Sequence, residues 1–188
     1  AWIDDVAIDA GPRGLDPVDL VDTRRGSNSS FELSRGNTYP ATGLPNGALL
    51  TSPSTRRALD WFYSWARHNT SSGYPAFEGI VLTNQPSPWM GDRNQLILTP
   101  TWADSCEPHT FRHAEEEARP YRYRVQLDDG PLVELAPTGH GCIVRLGLPD
   151  SDGTLRLGVG VCSGDFRLRQ RDDGLWVGLN TSIDWSGG

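Results

Sequence analysis

The stretch Tyr121-Arg122-Tyr123-Arg124-Val125-Gln126-Leu127-Asp128-Asp129-Gly130 alternates apolar and polar side chains and then breaks at Asp-Gly. A period of two sets Tyr121, Tyr123, Val125 and Leu127 on one face of a strand, with Arg122, Arg124 and Gln126 on the other. One face belongs on a core and the other in water. The Asp-Gly pair supplies the positive φ that a tight hairpin needs. The same grammar repeats downstream. Leu155, Leu157, Val159 and Val161 alternate with Arg156, Gly158 and Gly160. Phe166 and Leu168 alternate with Arg167 and Arg169, and Leu175, Val177 and Leu179 follow. Asp152-Gly153 and Asp173-Gly174 punctuate these runs. Short strands at this spacing predict an antiparallel meander, hence an all-β sandwich or barrel. The arginines at outward positions (Arg122, Arg124, Arg167, Arg169, Arg171) read as a solvated sheet face, where an exposed ion pair is worth at most about 1 kcal/mol.

Upstream, from Ala1 to about His113, the texture changes. Gly, Pro, Asn, Ser and Trp are frequent and long periodic runs are few, which suits loops laid over short strands. Apolar runs occur at Ala48–Leu50, Gly79–Thr83 and Gln95–Leu98. Leu59, Phe62 and Trp65 fall at helical spacing, so Ser54–His68 is a candidate helix. No internal repeat or low-complexity tract is seen.

The whole chain of 188 residues is expected to form one β-sandwich domain. A chain of this size buries about 70% of its unfolded surface, enough for a real core. Its formal charge of −7 argues against nucleic acid or an anionic membrane as partner. No apolar run approaches the ~20 residues of a membrane helix. Every one of the 17 basic residues is Arg, which reads as compositional bias. The single Met is Met90, and the chain ends at Trp185-Ser186-Gly187-Gly188. It is therefore expected to be a processed or excised piece of a longer protein. Of the three cysteines, Cys142 and Cys162 are the better-placed pair, but three small buried apolar residues is the favoured reading. Asn28, Asn69 and Asn180 each begin an N-x-S/T sequon, a short motif of little weight by itself.

Catalytic groups do not converge in this sequence. Asp128, Asp129, Asp152, Asp172 and Asp173 fall in turns, where Asp serves local hydrogen bonds. Glu115, Glu116 and Glu117 form a run expected to be solvated. No carboxylate pair nominates itself for the facing positions of a glycosidase, and no nucleophile elbow, phosphate loop or zinc-binding motif occurs. His68, His109, His113 and His140 are isolated in motif terms. No catalytic residue and no metal ligand is assigned. The loop Thr83-Asn84-Gln85-Pro86-Ser87-Pro88-Trp89-Met90-Gly91-Asp92 stands apart. Two prolines brace a Trp among polar side chains. Trp stacks on the apolar face of a sugar, while Thr83, Asn84, Gln85 and Asp92 suit its hydroxyls. A Pro-braced loop with a packed Trp is the equally open structural alternative.

Several motifs together resemble glycoside hydrolase family 92, the calcium-dependent exo-acting α-mannosidases. Val21-Asp22-Thr23-Arg24-Arg25-Gly26 is similar to the family's opening segment, and Gly36-Asn37-Thr38-Tyr39-Pro40 with Pro45-Asn46-Gly47 to its Gly-Asn-Thr-x-Pro signature. Phe77-Glu78-Gly79-Ile80 leading into Thr83–Trp89, then Gly91-Asp92 and Pro100, resembles the loop that one branch carries as Thr-His-Gln-Pro-Ser-Pro-Trp. Phe111-x-His113 and Glu117–Tyr123 resemble the start of its next sheet. Asn84 stands where His is common, Leu82 where Cys is frequent, Ser27 where Thr is common, and Arg93-Asn94 where Tyr-Gly is usual. An amide at 84 can bind a hydroxyl but cannot titrate near neutral pH.

The resemblance implies an antiparallel β-sandwich, the N-terminal domain of a larger enzyme and cut short of its last strands. A C-terminal helical barrel of the same chain would enclose the active site with it. It implies inverting hydrolysis of α-linked mannose from glycans, outside the cytoplasm, secreted or at the cell surface. Calcium and the catalytic acid and base would belong to the barrel, and this part alone would be inactive. Thr83, Asn84, Gln85, Trp89 and Asp92 would form one wall of the sugar site. The alternative is a non-catalytic carbohydrate-binding β-sandwich module.

Overall fold

The computed structural model describes residues 16–28, 38–55, 63–83, 96–102, 107–150, 152–160 and 166–180. Apart from one short 3-10 turn at Pro17–Leu20, their regular structure is all strand. In chain order these are β1 (Leu50–Ser54), β2 (Ala76–Phe77), β3 (Gly79–Thr83), β4 (Leu96–Thr101), β5 (His109–Arg119), β6 (Arg122–Leu127), β7 (Leu132–Pro137), β8 (Cys142–Gly147), β9 (Arg156–Gly160), β10 (Phe166–Gln170) and β11 (Trp176–Asn180). A four-stranded sheet has the order β1-β3-β4-β9, and a five-stranded sheet the order β2-β5-β6-β7-β8. β10 and β11 form a separate hairpin. All pairings between named strands are antiparallel.

The two larger sheets meet through their apolar faces, making a sandwich. Ile80, Leu82 and Leu98 from one sheet pack with Phe77, Phe111, Tyr123, Val125, Leu127, Val133 and Leu135 from the other. Burying each such side chain fully is worth about 1.5–3 kcal/mol. Val81 and Ile97 point away from this core and are covered by Tyr63 and Tyr39. The four-stranded sheet is thus buried on both faces at β3, so Gly79–Thr83 is apolar almost throughout rather than alternating.

The alternation in β6 holds as read: Tyr123, Val125 and Leu127 are buried while Arg122 and Arg124 face solvent. Tyr121 is an exception, because it lies in the turn before β6 and is exposed. Two of the three Asp-Gly pairs close hairpins. Asp129 carries the positive φ between β6 and β7, and Gly174 between β10 and β11. Asp152-Gly153 does not. It lies on the crossover from β8, in one sheet, to β9, in the other. Its glycine is needed for close approach, since a Cβ there would sit 2.6 Å from the Trp102 ring.

Two further expectations are corrected. The candidate helix at Ser54–His68 is absent from its described residues: Ser54 ends β1, and Trp65–His68 is a turn. Polar closures replace helical ones, with Thr55 Oγ1 bonded to His68 Nδ1 at 2.8 Å and accepting from the Ser64 amide. Residues 56–62, with Leu59 and Phe62, lie outside the described set. The apolar faces read for β9 and β11 are open: Leu157, Val159, Leu175 and Val177 are exposed. β9 is the outermost strand of its sheet and the hairpin stands outside the sandwich, so alternation there lacks an opposing face. Cys142 is a free, half-buried thiol whose pKa is pushed up by burial, and Cys106 and Cys162 lie outside the described residues.

Candidate functional site

β3 delivers the chain into the Pro-braced loop. Gly79, at its start, has φ +155° and lies so close to β4 that a Cβ would meet the Leu98 carbonyl oxygen at 2.6 Å. Thr83, at its end, is fully buried and its hydroxyl has no partner. Asn84, Gln85, Trp89 and Asp92, the remaining candidate sugar contacts, lie outside the described residues.

The polar groups that the structure brings together are others. β5 pairs with β6 in two registers, Phe111 with Leu127 and then Glu116 with Val125, so five residues of β5 span two of β6. This bulge changes which positions face inward. Phe111 points in before it, and Glu116 and Ala118 after it. The middle of the acidic run is therefore not solvated: the Glu116 side chain is fully buried.

Its carboxylate is enclosed by polar groups. Tyr63 Oη lies 3.0 and 3.1 Å from the two oxygens, Tyr123 Oη 2.8 Å from Oε1, and His113 Nδ1 2.7 Å from Oε2. The Arg24 guanidinium is 3.6 Å away. Arg24 also donates to the carbonyls of His113 and Glu116 and pairs with Asp22 at 2.5 Å. The Trp65 indole stacks on the His113 ring, 3.5 Å between centroids, and the Arg24 guanidinium lies 5.3 Å from the centre of the Trp65 ring. Desolvation, then the Glu116 charge, raises the pKa of both Tyr63 and Tyr123. The Arg24 hydrogen bond holds Asp22 below its ordinary value.

This cluster joins an N-terminal segment, the Trp65–His68 turn and two strands. A carboxylate with no exposed surface cannot reach a substrate, so its chemistry is that of a structural anchor. Arg24 and His113 were visible as members of separate sequence motifs, but their meeting at Glu116 was not. The outward arginines match the solvated reading, with Arg122 on Glu117 and both Arg124 and Arg145 on Glu134. Among the described residues no group of three or more His, Cys, Asp or Glu side chains could hold a metal ion.

Residues 20–186 match the family model for the glycosyl hydrolase family 92 N-terminal domain. Among solved structures, the chain is similar to a family GH92 inverting mannosidase from Bacteroides thetaiotaomicron VPI-5482, with 29% identity and a TM-score of 0.63 over 76% of this chain and 19% of that one. A family GH92 alpha-mannosidase from Bacteroides thetaiotaomicron is similar at 23% identity and TM-score 0.56, over 72% of this chain and 19% of that one. A further GH92 family glycosyl hydrolase is similar at 22% identity and TM-score 0.61, over 85% and 23%. The latter two likenesses speak for the fold alone. The chain spans about a fifth of the length of these structures. No curated protein matches it.

Proposed function

Because the chain belongs to glycoside hydrolase family 92, as its N-terminal domain, we propose that it is the β-sandwich part of an inverting exo-α-mannosidase. The complete enzyme would remove α-linked mannose from glycans outside the cytoplasm. The observation that carries this reading is the match over residues 20–186. It is supported by the mannosidase neighbour at 29% identity. The sandwich supports a C-terminal helical barrel of the same chain, which holds calcium and the catalytic acid and base.

The loop Thr83–Asp92 forms one wall of the sugar site. Pro86 and Pro88 limit its conformations before a ligand arrives, which lowers the entropy cost of binding. Trp89 takes the apolar face of the sugar, while Asn84, Gln85 and Asp92 take its hydroxyls. Thr83, whose buried hydroxyl has no partner, adds hydrogen-bonding capacity where the loop begins.

The test is hydrolysis of an aryl α-mannoside by the full-length protein, with and without a calcium chelator, following the anomer of released mannose by NMR. Release of β-mannose that stops on chelation is expected. Binding of mannan without hydrolysis would favour a non-catalytic carbohydrate-binding module.

A further inference from the structure

We propose that His113 is a pH-dependent latch tying the segment around Arg24 to Asn28, and the Trp65–His68 turn, to β5. Its ring meets an acceptor at each nitrogen: Glu116 Oε2 at 2.7 Å from Nδ1 and the Trp65 carbonyl oxygen at 2.7 Å from Nε2. A carbonyl cannot donate, so Nε2 carries a proton. Glu116 already accepts from two tyrosine hydroxyls beside a guanidinium and is a carboxylate, so Nδ1 donates as well. The ring satisfies both neighbours only as imidazolium. The stacked Trp65 ring adds a π face that favours a cation.

The groups facing this pair are Asp22 and Arg24 from the N-terminal segment, Tyr63 from the loop before the turn, and Tyr123 from β6. Asp22 and Glu116 balance Arg24 and His113, so the closed cluster is neutral. Loss of one ring proton aims a lone pair at an acceptor, and one of the two hydrogen bonds must break. The bond to the Glu116 carboxylate is charge-assisted and the stronger of the two, so the neutral ring keeps Nδ1–H and the bond to the turn carbonyl is the one released. The Trp65 amide donates to the Ser27 carbonyl at 3.1 Å and the Ala66 amide to Asn28 Oδ1 at 3.2 Å. A turn that moves away from His113 therefore loosens residues 27 and 28 with it.

Hydrogen exchange of the full chain tests the latch. Rates corrected for intrinsic pH dependence are followed from about one unit below to about two above the ordinary histidine value of ~6.5. Amides of Trp65 and Ala66 are expected to exchange roughly tenfold faster at the alkaline end, the size of one lost hydrogen bond to a charged group. Those of Val125 and Val133 should not change. His113→Gln, which does not titrate, should show the faster exchange at every pH. Wild-type protection that ignores pH, or a pH response that survives in His113→Gln, overturns the proposal. Should that variant not fold, ring nitrogen NMR shifts of wild-type His113 are read instead. Two protonated nitrogens at the acid end of that range support the latch, and a single neutral tautomer there overturns it.

Discussion

Glu116 joins Arg24 of the N-terminal segment, Tyr63 and strands β5 and β6. Removing one member of a buried ion pair strands the other charge, a loss of about 3–5 kcal/mol. Glu116→Ala leaves the Tyr63 and Tyr123 hydroxyls without their acceptor and Arg24 with Asp22 as its remaining carboxylate, and a fall toward the lower end of that range is expected in the urea unfolding free energy. An unchanged midpoint would mean that the cluster is incidental. Tyr63 and Tyr123 give a pH signature of opposite reach to an acid transition. Their folded pKa values lie above the unfolded value of about 10. Their contribution is complete below about pH 10 and is lost as pH rises toward the folded values. Phenolate absorbance from these two is expected only as the sandwich unfolds in alkali, in step with loss of the sheet circular dichroism. Their ionisation with the sheets intact would contradict the burial. None of this was legible in the residue types. Glu116 sits between two other glutamates, and an acidic run on a strand reads as solvated until the bulge that turns it inward is known.

At the scale of elements, the sequence was most informative where a strand has one buried face and regular pairing. β6 is such a strand, and the burial of Tyr123, Val125 and Leu127 follows from period two. It was least informative where geometry depends on a partner. The Asp152-Gly153 pair carries the same letters as two true hairpins, but its glycine accommodates Trp102 across the crossover to β9. β5 alternates, then shifts phase through its bulge, which period-two reading cannot anticipate. Leu157, Val159 and Val177 alternate without an opposing sheet, so their pattern shows amphipathicity but not burial. Gly79 gives the sharpest test of sheet geometry. It combines φ +155° with a Cβ position 2.6 Å from the Leu98 carbonyl oxygen, a backbone atom held by the β3–β4 ladder. Gly79→Ala is expected to lower stability by about 1–3 kcal/mol, as overpacking and strain do. A thermal melt indistinguishable from wild type would show that the two strands sit further apart.

For the whole molecule, the motifs around Arg24, Thr83–Trp89 and His113 pointed to the same family that the match over residues 20–186 shows. An antiparallel sandwich or barrel was legible from the alternation and turns of the second half, and the family resemblance narrowed it to a sandwich. The proposed sugar wall was suggested in the sequence only by composition, Trp with amides and two prolines, because that chemistry is shared by packed structural loops. On the proposed function, residues 1–188 alone are expected not to hydrolyse an aryl α-mannoside, since loss of each group assigned to the barrel would cost orders of magnitude in rate. Turnover by the purified fragment, free of host enzyme, would place the chemistry in the sandwich itself. The proposed function stands most directly on Trp89, measured as kcat/KM and Tm of the full-length Trp89→Ala variant. A loss of about tenfold or more in kcat/KM, about 1.4 kcal/mol of transition-state binding, with an unchanged Tm is predicted; unchanged kinetics with a lowered Tm would make Trp89 a packing residue and contradict the sugar wall.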